Sequence, residues 1–294
     1  MSLLVLSISL DASMFERVKI FVQDYEFNNL KNGFFKSFFE KYEERRPLFT
    51  QKELDLCALI YCELESQCFV ATAFPRSKGY EDFIEKQINN LGKLVHKKYV
   101  YLKKRGQLNI LREFYRHQGW KTINLGTEKK RSGCFPINTK PIITAYLFKC
   151  DSLEKVKKTK SFIRDTIAGY DSIHISDFHE EALNMARLLF LDTSISFLNS
   201  KQERNIPLFD DALQEYIQML DFNKISVKKT CICGDSVLAI RGIKDFPYVN
   251  FISLGNVQIP PHCTKLKHVG INEDIILDPS QYFYYRGFKF HFIG

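Results

Sequence analysis

The chain is short of tryptophan, of long apolar runs and of cysteines at metal-binding spacing. One Trp stands against 26 Phe and 14 Tyr in 294 residues, and that aromatic excess is material for a large core. No run of about 18 apolar residues occurs, which predicts that no helix crosses a membrane. The opening, MSLLVLSISLDAS, has no basic stretch ahead of its apolar residues. It reads as one short strand, so no secretory leader is expected. Eight cysteines are present, but Cys57, Cys62 and Cys68 are loosely spaced, and Cys231 and Cys233 alternate on a strand with no second pair following. That is not a zinc-knuckle pattern. They are expected as free thiols in a reducing, cytoplasmic compartment. Internal repeats and low-complexity segments are also missing.

What is present is ordinary globular composition, 45% hydrophobic and 26% charged, at a length that makes one large or two ordinary domains. The net charge of +8 leaves room for polyanionic partners such as nucleotide phosphates, nucleic acid or acidic lipid. The charge is spread in short runs, among them Lys97-Lys98, Lys103-Lys104-Arg105 and Lys129-Lys130-Arg131, which read as solvated faces. Around Lys97, Tyr99 and Tyr101, strand alternation puts those three on one face and Lys98, Val100 and Leu102 on the other. That mixes the polarities, so a nucleic-acid partner is not expected.

Periodicity predicts an α/β (α+β) fold in three parts. Residues 1–70 form a mainly helical part, with a strand at 2–9, helices over 13–48 and Thr50 as N-cap of the next helix. Residues 71–205 form an α/β domain. Its expected strands are 69–75, 97–104, 141–150, 172–175 and 194–200. Its expected helices are 81–95, 108–120, 152–168 and 179–191, with a turn at Arg105-Gly106 and a loop over 121–139. A polar link over 201–211 precedes a third part, 206–294. It begins with a helix at 210–220 and holds a strand-like DIIL and a hairpin turning at Arg286-Gly287.

The stretch most like an active centre is Thr230 to Ile252, TCICGDSVLAIRGIKDFPYVNFI. A short apolar strand, a Gly234-Asp235-Ser236 turn, a small-residue helix and a second apolar strand make the layout of a nucleotidyltransferase phosphate site. There a tight turn offers backbone N–H groups to phosphate oxygens. Arg241 and Lys244 could meet the phosphate charge. Two carboxylates two residues apart on the second strand would share a face and hold Mg²⁺ or Mn²⁺, but Tyr248 and Asn250 occupy those places. Asp235 and Asn250 are then the candidate ligands, and the plain alternative is a small-residue turn in a βαβ crossover. A second candidate is His174 with Asp177, an acid–base or ligand pair at a strand end. Its plain alternative is a hydrogen-bonded His beside a helix-capping Asp.

Several segments taken together, GKLVHKKYVYLKKRGQLNILREFYRHQGW, DSIHISDFHEEALNMARLLF, SISFLNS, DSVLAIRGIKDFPYVNFISL and EDIILDPSQYFYYRGFKF, resemble a nucleotidyltransferase-like family. That family is met in large DNA viruses and in bacterial surface-polysaccharide gene clusters. The resemblance covers about residues 70–294. It implies a transferase acting in surface or virion glycan biosynthesis with a nucleotide or nucleotide-sugar donor, a glycan acceptor and a divalent cation. Asp235, Ser236, Gly242, Lys244, His174 and Asp177 match the family pattern. Tyr248 and Asn250 stand where the family carries Asp-x-Asp. Two further readings are a degenerate pseudoenzyme used as a binding or structural protein, and a basic nucleic-acid-binding protein.

Overall fold

The computed structural model describes residues 50–116, 124–167, 169–254, 258–266, 274–277 and 279–292. The strand expected at 2–9 and the helices expected over 13–48 lie outside the described residues. The chain is α+β, built on two sheets. Helix α1 (Gln51–Leu64) opens with a capping box: the Thr50 hydroxyl accepts the Glu53 N–H, and the Glu53 carboxylate accepts the Thr50 N–H.

Then come β1 (Cys68–Ala73), α2 (Glu81–Leu91), β2 (Lys93–Tyr101), α3 (Lys104–Phe114), α4 (Asn124–Cys134), β3 (Ile142–Lys149), α5 (Leu153–Thr166) and β4 (Ile173–Ile175). The strand order is β2-β3-β1-β4 and every neighbouring pair is antiparallel. This is the βαββαβ plan, with α3 and α4 inserted between β2 and β3 where a hairpin would suffice. Ile84 and Ile88 of α2 and Val156 and Ile163 of α5 pack on Phe69, Ala71, Tyr146 and Phe148. The opposite face, with Val70, Ala145 and Leu147, is covered by Leu56 and Leu59 of α1 and Met185 and Leu189 of α6 (His179–Leu189). Layers on both faces explain why β1 is buried at every residue and shows no alternation.

Four expectations need correction. SISFLNS is not a strand but most of α7 (Asp192–Ser200), which buries Ser194, Phe197 and Leu198 at helical spacing. Packing overrode its β-leaning composition. Arg105-Gly106 is not a turn but lies inside α3. A Cβ at 106 would sit 2.1 Å from Asn199 Oδ1, so the glycine lets α3 and α7 approach closely. Residues 124–134, expected as loop, form α4. DIIL forms the short helix α10 (Asp274–Leu277).

The second sheet follows α8 (Pro207–Phe222), whose proline sits in the first turn. It comprises β5 (Thr230–Ile232), then helix α9 (Asp235–Ile240), β6 (Val249–Ser253), β7 (Cys263–Lys265), β8 (Tyr282–Tyr285) and β9 (Phe288–His291). The order is β7-β6-β5-β9-β8, with β5 antiparallel to β6 and parallel to β9. The return through α9 is therefore not a parallel βαβ crossover. The expected hairpin is present: Arg286 and Gly287 both have positive φ, 52° and 84°, as a two-residue primed turn requires. Arg286 is held there by its N–H to Glu113 and its guanidinium to Asp210.

One apolar core runs through both sheets, joining Val70 and Leu147 to Ile232, Phe251 and Phe290. Glu63 of α1 ties them further. It pairs with Arg187 of α6 at 3.0 Å and Lys228 at 2.9 Å, while Arg187 lies 4.6 Å from the Tyr284 ring. All eight cysteines are free and buried. Burial pushes thiols such as Cys57 and Cys233 up to about 12, which makes them poor nucleophiles. Among the described residues no helix is long and apolar enough to cross a membrane.

Candidate functional site

The Gly234-Asp235-Ser236 turn is built by a backbone that only glycine adopts readily. Gly234 has φ 59° and ψ −141°. A Cβ there would lie 3.3 Å from Asn250 Nδ2 and 3.7 Å from Leu266 Cδ1. A side chain at 234 would therefore crowd Asn250. Asp235 begins α9 and is exposed. Tyr248, at the entry to β6, donates its hydroxyl to Asp235 Oδ2 at 3.2 Å. Loss of solvent, and after it the Asp235 carboxylate, pushes the phenol above its ordinary pKa, so it stays protonated at neutral pH. Asn250 is half-buried, and its side-chain amide has no hydrogen-bond partner among the described residues.

The structure thus sets Gly234 against Asn250 and Asp235 against Tyr248. It gives Ser236 a different part. Ser236 is fully buried. Its hydroxyl accepts the Asn250 N–H at 2.7 Å and lies 3.5 Å from the Tyr248 carbonyl. The serine staples the turn to β6 instead of presenting an oxygen to phosphate. Lys244 is exposed at the rim, 5.0 Å from the Phe246 ring, and Phe246 in turn packs on Tyr248 at 5.5 Å. Arg241 ends α9 half-buried, and burial lowers its pKa. Gly242 is needed for packing: at φ 76°, its Cβ would meet the Gln202 carbonyl at 2.8 Å. Asp245 points elsewhere, accepting the N–H groups of Leu208 and Phe209 at the start of α8.

These donors do not fit a two-carboxylate cation site. Asp235 is the one carboxylate, Asn250 offers a neutral amide oxygen, and Tyr248 keeps its proton. Among the described residues no three His, Cys, Asp or Glu side chains are grouped to hold a metal ion. Hard divalent cations take oxygen donors with enough negative charge to replace their water.

His174 and Asp177 belong to the other sheet and do not pair with each other. His174 Nε2 lies 2.9 Å from Glu181 Oε1, and Glu181 Oε2 accepts the Asp177 N–H at 2.6 Å. Asp177 instead binds Lys160 at 2.9 Å and does not cap α6. The ring of His174 stacks on Phe114 at 5.5 Å and meets Tyr115 edge-on at 5.0 Å. Burial outweighs the Glu181 bond and holds the imidazole below its ordinary 6.5. Glu181 was missed as a partner because it lies one turn into the following helix, seven residues on.

Sequence reasoning also missed the buried group on the same sheet face at β2. Asp55 of α1 binds His96 at 2.7 Å and Lys98 at 2.7 Å, and Lys98 reaches Asp192 at 2.8 Å. Burial raises the Asp55 carboxyl, but the bonds from His96 and Lys98 outweigh it and hold it below the usual range. Lys97 is likewise bound to Glu85. Both lysines of that basic run are therefore engaged within the fold.

No protein-family model matches the chain, and no curated protein matches it.

Proposed function

We propose that the chain is a nucleotidyltransferase-like protein whose turn-and-strand site binds a ligand without carrying out metal-dependent transfer. The observation that carries this is the Tyr248 hydroxyl bonded to Asp235, with Asn250 two residues on. The two strand positions that would supply carboxylates supply a protonated phenol and an amide. Two neutral groups cannot neutralise a dication, and a nucleotide triphosphate brought here without one would face the Asp235 charge. The sequence resemblance supports a role for such a binding protein in glycan assembly, and the buried free thiols are compatible with a reducing compartment.

The second reading is an active transferase using a nucleotide-activated donor. It is favoured by one feature: the Asp235 carboxylate is exposed at the start of α9.

Thermal unfolding with and without Mg²⁺ or Mn²⁺ plus ATP, CTP or a UDP-sugar separates the two, because a ligand bound to the folded state raises its stability. No metal-dependent rise is expected for the wild type. The double substitution Tyr248→Asp with Asn250→Asp is expected to create divalent-ion binding. Metal-dependent transfer of nucleotide or sugar by the wild-type protein would overturn the proposal.

A further inference from the structure

We infer that the outer edge of β2 pairs with the same edge of a second copy of this chain. Among the described residues two sheet edges are capped by side chains. On β4 the outward carbonyls are taken: Ile175 O accepts from Lys160 at 2.6 Å and Ile173 O from Arg164 at 3.0 Å. On β8 the Ser194 hydroxyl accepts the Tyr284 N–H at 2.9 Å, and Thr193 donates to Tyr282 O at 2.6 Å. A third edge, β7, is only three residues long. β2 is different. It is the outer strand of the first sheet and runs for nine residues.

Register shows which groups that edge offers. Tyr101 is opposite Ile142, and the Leu102 N–H reaches the Pro141 carbonyl, the next pair along. Residues 98, 100 and 102 therefore turn their backbone groups to β3, while 97, 99 and 101 turn theirs outward. Asn199 covers the end of the edge, donating to Tyr101 O at 3.2 Å. The N–H and C=O of Lys97 and Tyr99 have no partner among the described residues. The Tyr99 and Tyr101 side chains are 63% and 56% exposed, and Ile142 across from Tyr101 is exposed too. Proteins usually cap or shorten an edge that carries such a patch.

Charge selects the second copy as occupant. Antiparallel pairing about a two-fold axis at Tyr99 sets outward residues against outward residues. Tyr99 meets Tyr99, and Lys97 meets Tyr101 of the second copy at both ends. Lys97 is paired with Glu85, and its ammonium lies 5.3 Å from the Tyr99 ring centroid, so it stands on the aromatic face. Each lysine then opposes an aromatic ring. An axis at Lys98 would oppose Lys98 to itself, and an axis at Val100 would set Lys97 against Lys103. The pairing at Tyr99 avoids both, and the two first sheets run on as one.

The test is sedimentation velocity on the full chain over a rising concentration series, where a monomer–dimer equilibrium is expected. Tyr99→Lys puts like charges on the two-fold axis and should weaken the dimer at least about tenfold. An unchanged circular dichroism spectrum is the control for folding. Oxidative cross-linking reads the register. Opposed residues of a hydrogen-bonded pair have Cα atoms about 5.5 Å apart, within reach of a disulfide. Tyr99→Cys should therefore link two chains, and Tyr101→Cys, opposite Lys97, should not. The native cysteines are all buried, so the wild type is the blank. A wild type that stays monomeric at every concentration overturns the inference. So does a monomer whose Tyr99 amide is slow to exchange, since another segment of the chain would then hold the edge. A dimer that survives Tyr99→Lys unweakened, or that links through 101 and not 99, overturns it as well.

Discussion

Two polar groups, one beside each sheet, have been put to opposite use. On the first sheet His174, Glu181, Asp55, His96 and Lys98 are almost closed off from solvent, and each charge has a partner. On the second, Asp235 is exposed and Asn250 has an amide to spare. A buried ion must be paired to be tolerated, so the first set serves the fold. The second set carries little of the fold's stability beyond Ser236, and its unmet hydrogen-bonding capacity is available to a ligand. Residue type alone did not separate them: His174 with Asp177 stood in sequence as a second candidate behind Asp235 with Asn250.

The contrast can be broken by mutation, the largest effect falling on the first sheet. Asp55→Ala strands His96 and removes one of the two partners of Lys98, and should cost roughly 3–5 kcal/mol in urea unfolding. A loss under about 1 kcal/mol would mean the network is not structural. Next is the one member of the second group that is buried. Ser236→Ala removes the acceptor of the Asn250 N–H and should cost about 1–2 kcal/mol.

His174 gives a pH signature. Burial holds its folded pKa below the unfolded 6.5, so the unfolded chain takes up a proton more readily. The stability it contributes is whole above 6.5 and drains away as pH falls below that value. His174→Phe, which keeps the stacking on Phe114, should flatten the acid side of a melting-temperature profile; an unchanged acid slope would show that His174 is not the titrating group. Smallest is Asn250→Ala, which should leave stability within about 0.5 kcal/mol, because its side chain holds nothing in the fold.

Most elements were legible because helical and strand periodicities survive in amphipathic segments such as α6 and in the buried β1. The failures were tertiary. Gly106 looks like a turn in sequence, and only the approach of Asn199 explains it inside a helix. Ile195 and its neighbours lean towards strand, and a helix won because Phe197 and Leu198 needed one common face. At the candidate site the turn, its glycine and the uncharged residues at 248 and 250 were readable from residues 230–252. The Tyr248–Asp235 bond and the consumption of Ser236 were not, since both depend on how α9 returns to β6. For His174 the hydrogen-bonded alternative matches what is seen, but its partner, Glu181 on the next helix, was not readable and Asp177 does not cap that helix.

The strand order of the second sheet bears on how the protein is made. β5 lies at the centre of that sheet, with β6 on one side and β9 on the other. The β6 partner is local, but the β9 partner, through Ile232 and Phe290, is synthesised much later. During translation one edge of β5 therefore stays open while the residues between are added. An open apolar strand edge is a template for pairing with other chains, and such long-range pairings close slowly. Slow elongation or heat during synthesis should therefore lower the yield of folded protein more than the stability of the finished molecule would suggest, and a holdase that covers strand edges should restore it.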